Sequence, residues 1–491
     1  MKVSLKSKSQ SSKKSLQLVP AYSNGKKVQL DVSDKIENKK LTSSNFLAEY
    51  KAKLGENLYV NTDEHRYLIL GLGEQKKIES EKLRRSFSKS IKSIKSEDIE
   101  IDFDGFSKKL GVDKTLDIFL ESLYLSNYTF NKYKTKATEK NVTYVFNSKK
   151  VTKAKFDKLN DKNQSISSSV NVCRDYVNEA PNYLNSEVYA DLIEKDIKKN
   201  VKGKRVKVKI LKRSEIKKEK MNLFLSVNSG SAYEPRLVHL TYTPQKATKN
   251  TKHIALVGKG ITFDTGGYSL KPSASMMGMK FDMGGSATLY GAFRSAVLQE
   301  SKNKITCILA MTDNNVNSKA TTPDSIVKGR NGKTVEILNT DAEGRLILAD
   351  ALDYACDLKP NAIIDAATLT GACLVAFGTE VCAILGNDQK LIDSIMKSSK
   401  NVNEYLWQLP IIDEYRDHMK SKIADLKNIG KGRMAGTATA AAFLENFIKN
   451  DISWAHLDIA GVCDSQTHLP YCPSSGASGI MVRTVSDYLM N

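Results

Sequence analysis

Three residues alternate in the stretch Asn339-Thr340-Asp341-Ala342-Glu343-Gly344-Arg345-Leu346, namely Asp341, Glu343 and Arg345. In an extended segment, side chains two apart share a face. Such a face would present two hard oxygen ligands beside a fixed positive charge, which suits a divalent cation next to an anion or a developing oxyanion. The same spacing allows a second reading. Acids are favoured in the first turn of a capped helix, and the apolar run Leu346 to Leu352 reads as a buried helix leaving the stretch.

A second group of charged residues lies upstream. The apolar segment His253 to Gly258 reads as a buried strand that runs into Lys259, Asp264, Gly266, Gly267, Lys271 and Asp282. In α/β sheets, sites form at the carboxyl ends of strands, and glycines there let the backbone turn tightly. Taken singly, Asp264 reads as a turn cap, Asp282 as the start of a helix through Ala287 to Leu298, and each lysine as a solvated charge. Taken with Asp341 and Glu343 they make four acids beside two lysines and an arginine. Four carboxylates can hold two divalent cations, two bridging and two terminal. A lysine amine joins such a shell only when neutral, and a nearby dication lowers its pKa.

Composition narrows the alternatives. The six histidines form no HExxH pattern, so a metal site here must be built mainly from carboxylates. The seven cysteines are scattered and form no CxxC, which points to a reducing compartment and away from zinc ribbons or a disulfide framework. The G-x-x-x-x-G-K-[ST] order of a phosphate loop is missing, and Gly71-Leu72-Gly73 lacks the third glycine of a dinucleotide fingerprint. No apolar run is long enough to span a bilayer, and no apolar core of a secretory signal lies near the N-terminus. A cytoplasmic protein without a membrane partner is therefore expected. Residues 1–250 carry 51 Lys and Arg against 30 Asp and Glu, whereas residues 251–491 carry 24 against 25. A basic front half attracts polyanions non-specifically, but no helix-turn-helix, zinc-finger or RNA-recognition signature accompanies it.

The elements that must position these residues follow an alternating α/β pattern. Residues 1–30 contain no acid and read as a basic tail or first-strand region. Residues 31–155 read as a small α/β domain, with a strand over 65–73, an amphipathic helix over Ser80 to Ile94, and a further helix and strand near 115–130 and 142–147. The lysine-rich stretch 150–164 reads as a linker. Residues 156–185 read as a linker helix region, in which a helix through Val170 to Val177 should end near Asn178, ahead of Pro181. Beyond residue 186 come a helix to about Lys198 and strands over Val206 to Leu211, Leu223 to Val227 and Pro235 to Tyr242.

Three segments together carry a family resemblance: KGITFDTGGYSLKPS at 259–273, MKFDMGG at 279–285 and NTDAEGRL at 339–346. They resemble the signature segments of the leucyl aminopeptidases, the cytosol aminopeptidase family. RDYVNEAPNYL at 174–184, DAATLTGA at 365–372, LWQLP at 406–410, ADLKNIG at 424–430 and WAHLDIAG at 454–461 match the same pattern, which extends over roughly residues 60–491. The resemblance implies two α/β domains, a smaller N-terminal one and a larger catalytic one over 186–491 whose central sheet is mostly parallel and flanked by helices. It implies a homohexamer and two divalent metals per subunit, usually zinc, manganese or magnesium. Carried over residue by residue, it has Asp264 and Glu343 bridge both metals, Lys259 and Asp282 complete one site, and Asp341 complete the other. Lys271 would polarise the scissile carbonyl, and Arg345 would hold a bicarbonate acting as general base. Met279, Thr368, Gly371 and Ala460 would line the pocket for the first side chain, with Leu369 contacting substrate through its backbone. The implied reaction is release of N-terminal residues, Leu and Met preferred, from peptides by a metal-activated water.

Three features depart from the family pattern: Met277-Gly278 between the second lysine and Asp282, Met481 where a glycine is common, and the basic N-terminal tail. The competing expectation is a polyanion- or nucleic-acid-binding protein that uses the basic front half, with peptidase activity secondary or absent. Its affinity would fall steeply with salt.

Overall fold

Short apolar runs become the strands of two main sheets, each with its own core. The computed structural model describes residues 1–6, 15–25, 27–33, 35–43, 47, 49–94, 98–136, 142–201, 203–432, 434–449 and 451–491. Residues 7–14, the Ser- and Lys-rich part of the expected basic tail, lie outside the described residues. The chain divides into two units, Met1–Ser167 with Thr467–Ser474, and Ser168–Gln466 with Ser475–Asn491.

The first unit holds a sheet whose strands run in the order Lys2–Lys6, Thr143–Asn147, Asp98–Asp102, Leu16–Ser23, Arg66–Gly71 and Asn57–Asn61. All are parallel except the last, and Val28–Leu30 adds an antiparallel pairing to Leu16–Ser23. The expected basic helix spans Ser80–Ser93 and buries Leu83, Phe87 and Ile91 at helical spacing. It packs against the helix Val112–Ser126, with Phe87 stacked on Phe119 at 3.8 Å between ring centroids. The stretch read as a linker is part of a helix. The helix Lys153–Asn178 runs through it, and the division between the two units falls inside this helix. Polarity was the only sign of a linker here. Residues 153–178 contain neither Gly nor Pro, so nothing breaks the helix before Asn178.

The second unit is built on an eight-stranded sheet ordered Leu406–Gln408, Cys382–Gly386, Ser453–Asp458, Ala362–Ala367, His253–Asp264, Lys304–Asn314, Arg236–Tyr242 and Val206–Leu211. The four central strands are mutually parallel, and antiparallel pairings occur only toward the edges. The central strands read as near-continuous apolar runs because helices cover both faces. Gly284–Leu298 and Glu343–Asp357 are two of those helices, and both pack on His253–Asp264. A smaller sheet joins Ser325–Lys328, Thr334–Ile337 and Leu426–Lys427.

Two local expectations fail. Leu223 to Val227 is not a strand but part of the helix Asn222–Asn228. Its buried residues Leu223, Phe224 and Val227 sit at helical spacing, and the Asp350 carboxylate accepts from Phe224 N at 3.0 Å in the first turn. The stretch around Asp341 is not extended either. A turn carries Asp341, and the helix Glu343–Asp357 begins at once, placing Glu343 and Arg345 in its first turn. The conformation of this stretch is that of a helix start.

Candidate metal centre

The charged residues of the centre come from a strand, a loop, a 3₁₀ turn and a helix start. The strand His253–Asp264 carries Lys259 inside it and Asp264 at its carboxyl end. Its pairing with Lys304–Asn314 shifts register between Ile261 and Asp264, the kind of irregularity that re-aims a side chain next to a site. Lys271 follows in a loop that turns through Gly266 at φ +87° and Gly267 at φ +63°, conformations that favour glycine. Asp282 lies in the short 3₁₀ turn Met279–Met283, ahead of the helix Gly284–Leu298.

These elements converge. Lys259 Nζ lies 2.8 Å from Asp282 Oδ1 and 2.9 Å from Glu343 Oε1, and donates to the Thr368 carbonyl at 3.0 Å. Lys271 Nζ lies 2.8 Å from Asp264 Oδ2 and 2.6 Å from Asp341 Oδ1. The chain passes close to Lys259 at Gly344, where an added Cβ would stand 2.6 Å from both Cε and Nζ of the lysine. Lys259, Asp264, Asp282 and Glu343 are buried. One carboxylate oxygen each from Asp264, Asp341 and Glu343 lies within 4.8 Å of the others.

The electrostatics are those of a site with too much negative charge. Burial pushes the Asp264, Asp282 and Asp341 carboxyls up from their ordinary range, and neighbouring acids add to this while the two lysines oppose it. Burial would pull both lysines down, but Asp282, Glu343 and Asp264 around Lys259, and Asp264 and Asp341 around Lys271, hold them above their ordinary values. Four carboxylates against two ammonium groups leave two negative charges unmatched. Among the described residues, the buried Asp282 Oδ2 accepts no hydrogen bond. A buried acceptor left without a donor calls for an explanation, and a cation supplies one. The oxygen donors and the lysine amine are the ligand types that hard or borderline divalent metals take. The residues present therefore fit a divalent metal centre.

Arg345 stands apart from the carboxylates. Its Nη1 donates to the Asn428 carbonyl at 2.8 Å, and its buried Nε donates to no acceptor among the described residues. Burial pulls the guanidinium down to about 10 against the pull of Glu343 and Asp458, so it remains charged near neutral pH.

Of the expected pocket residues, Thr368 bonds directly to this centre. Thr368 Oγ1 donates to Asp282 Oδ1 at 2.8 Å, and its carbonyl already holds Lys259. Leu369 N and Ala460 N both donate to Asp458 Oδ1, at 3.2 Å each. Met279 opens the turn that carries Asp282, and Gly371 starts the helix Gly371–Phe377.

Two supporting residues escaped the sequence reading. Asn314 Nδ2 donates to Asp264 Oδ1 at 2.8 Å and to the Thr340 carbonyl at 3.1 Å, clamping two carboxylate-bearing segments together. Asn428 Oδ1 accepts from Leu338 N and Asn339 N, which steadies the approach to Asp341. The available signal for Asn314 was the polar ending of an apolar strand, where α/β sheets build sites.

With this geometry in place, similarity to known proteins decides the family. The sequence profile for the catalytic domain of the cytosol aminopeptidase family matches residues 171–486, and that for the family's N-terminal domain matches residues 18–137. The chain belongs to the cytosol aminopeptidase family. A probable cytosol aminopeptidase of Sulfurihydrogenibium is 40% identical over 94% of this chain and 92% of its own length. Another, from Pseudomonas fluorescens, is 36% identical over 100% of this chain and 99% of its own. The two-unit α/β architecture is also that of a bottromycin maturation enzyme, BotP, solved in complex with Mn. That structure superposes with a TM-score of 0.84 at 24% identity and covers 98% of this chain and 99% of its own. Membership makes this chain a peptidase of the aminopeptidase type. No helix among the described residues is long and apolar enough to cross a membrane.

Proposed function

We propose that this chain is a cytoplasmic, two-metal aminopeptidase that removes N-terminal Leu, Met and similar residues from peptides. The observation that carries the reading is the set of four carboxylates and Lys259 gathered around unmatched negative charge. Asp264 and Glu343 would be shared between two cations, with Asp282 and Lys259 completing one shell and Asp341 the other. The metal is Mn2+ or Zn2+, with Mg2+ as a third choice, and the manganese of the BotP structure accords with this. Two bound cations would supply a water of lowered pKa, a Lewis acid for the scissile carbonyl and a ligand for the free α-amine of the peptide.

The chain's own residues do the rest. Lys271 carries an ammonium that stays charged and can donate to the oxygen on which negative charge develops. Arg345 Nε donates to no acceptor among the described residues and can hold a small anion, bicarbonate, as the group that takes the proton. Thr368, Gly371, Met279 and Ala460 would wall the apolar pocket for the first side chain, and the Leu369 backbone would fix the peptide's direction. A homohexamer is the assembly that family membership suggests.

The test is hydrolysis of a leucyl chromogenic amide by the full chain, before and after metal stripping and again with Mn2+ or Zn2+ restored. Activity should vanish on stripping, return on restoration and be absent in Asp341→Ala. A folded protein inactive with every metal would sink this reading.

A further inference from the structure

Asp458 ends the strand Ser453–Asp458 and is fully buried. Its hydrogen bonds nevertheless run to the segments assigned to the pocket. Oδ1 accepts from Leu369 N and Ala460 N at 3.2 Å each, and Oδ2 accepts from Thr370 Oγ1 at 2.6 Å. The Thr370 hydroxyl lies 2.8 Å from Thr437 Oγ1 and also accepts from Cys373 N at 3.2 Å, capping the helix Gly371–Phe377. The main-chain carbonyl of Asp458 accepts from the thiols of Cys373 at 3.6 Å and Cys382 at 3.4 Å. Five residues, Leu369, Thr370, Cys373, Cys382 and Ala460, therefore donate to this one residue.

The opposite end of the same segment is tied to the metal centre, through Thr368 to Lys259 and Asp282. Thr368 to Gly371 is thus strung between the metal-centre residues on one side and Asp458 on the other. A buried carboxylate is costly to keep unless donors surround it, and burial does push the Asp458 carboxyl up. The strand offers charge compensation as well. Trp454, His456 and Asp458 alternate along it and share a face. His456 Nδ1 lies 2.6 Å from Asp365 Oδ1 on the neighbouring strand. Burial opposes a charge on this imidazole, but Asp365 and Asp458 outweigh it and favour the imidazolium, with Arg345 acting against. Side-chain packing alone would be met by an apolar residue at position 458. Three donors and a compensating histidine are what a residue chosen for its hydrogen bonds requires.

We infer that Asp458 is a positioning residue, holding the Thr368–Gly371 segment and Ala460 in place against Lys259 and Asp282 and so setting which first side chain the pocket accepts. The inference rests on the aminopeptidase reading above. Asp458→Asn keeps Oδ1 for Leu369 N and Ala460 N, and its amide can donate to the Thr370 hydroxyl, which then turns toward Thr437. Asp458→Ala removes all three bonds. Thr370→Val removes the bond to Asp458 Oδ2, together with those to Thr437 and Cys373 N, while preserving shape.

The experiment compares kcat and KM for leucyl and alanyl chromogenic amides, using the Mn2+-loaded full chain and its variants, with metal content measured in each. In Asp458→Ala the preference for leucyl over alanyl should fall by roughly tenfold or more, the scale on which pocket fit discriminates, through KM and at unchanged metal content. Asp458→Asn should stay within about threefold of the parent in both constants. Thr370→Val should shift the preference in the same direction as Asp458→Ala, and it decides the matter where Asp458→Ala does not fold. A folded Asp458→Ala with the parental preference would overturn the inference, as would an Asn variant as damaged as the Ala variant, or an unchanged Thr370→Val. A parent without metal-dependent hydrolysis would instead overturn the aminopeptidase reading on which the inference stands.

Discussion

At the scale of single residues, the centre is defined by how closely backbone and charge approach each other. Gly344 shows this best. It lies in the first turn of the helix Glu343–Asp357, where alanine would ordinarily be preferred to glycine by about 1 kcal/mol. The position cannot use that preference, because a Cβ there would stand 2.6 Å from Lys259 Cε and Nζ. The obstructed atoms are the far end of a flexible side chain, so the lysine can move aside while the fold persists. Gly344→Ala should therefore unfold within about 1 kcal/mol of the parent yet lose roughly a hundredfold in kcat, because a displaced group costs far more in catalysis than in stability. Thermal unfolding and steady-state kinetics on the same preparation check both halves. Parental activity in a folded Gly344→Ala would mean that Lys259 has no part in the chemistry.

At the scale of elements, the sequence showed which residues belong together better than it showed the conformation that gathers them. Asp341 and Glu343 do converge, but by a turn and a helix start and not by alternation along a strand. A period of two over a few residues is too short to outvote the fifteen-residue helix beginning at Glu343. Asn314 stayed hidden for a related reason. An amide at a strand end carries no charge signature, and its value lies in joining Asp264 to Thr340, which are remote in sequence. Leu223 to Val227 was ambiguous because short apolar runs fit strand and helix alike. Met481, the departure from the family's glycine, now has a physical account. It holds φ at +72° at the start of the helix Val482–Met490, its side chain is fully buried, and its N–H donates to the Glu404 carboxylate at 3.0 Å. Replacement by glycine would relieve backbone strain of about 1 kcal/mol. It would also empty a buried methionine site, at a cost of about 2–5 kcal/mol. Burial wins, so Met481→Gly should destabilise the protein by about 1–4 kcal/mol, read as a lower midpoint in denaturant. An equal or higher midpoint would show that strain dominates.

At the scale of the whole molecule, two α/β units were legible because their strands and helices follow ordinary periodicities. The division between them falls inside the polar helix Lys153–Asn178, and Thr467–Ser474 belongs to the first unit although it lies far along the chain. Each unit has its own buried core, one around Leu68, Phe87, Phe119 and Phe146, the other around Val257, Ile308, Leu348 and Ile363. All the charged residues of the proposed metal centre belong to the second unit. A ligand that binds only the folded state stabilises by RT ln(1 + [L]/Kd), about 4 kcal/mol when the ligand is a thousandfold above Kd. That stabilisation should appear where the centre's elements lie. Without cations, the unmatched negative charge in the second unit repels itself, and the strand His253–Asp264 and the helix Glu343–Asp357 should exchange their amides faster. Arg66–Gly71 and Val112–Ser126, in the first unit, should be unaffected. Hydrogen-exchange mass spectrometry of the full chain, with Mn2+ and after chelation, measures this segment by segment. Protection lost only in the second unit would mean that the metals hold that unit together on their own. Equal loss in both would mean that the two cores unfold as one and that the centre governs the stability of the entire chain.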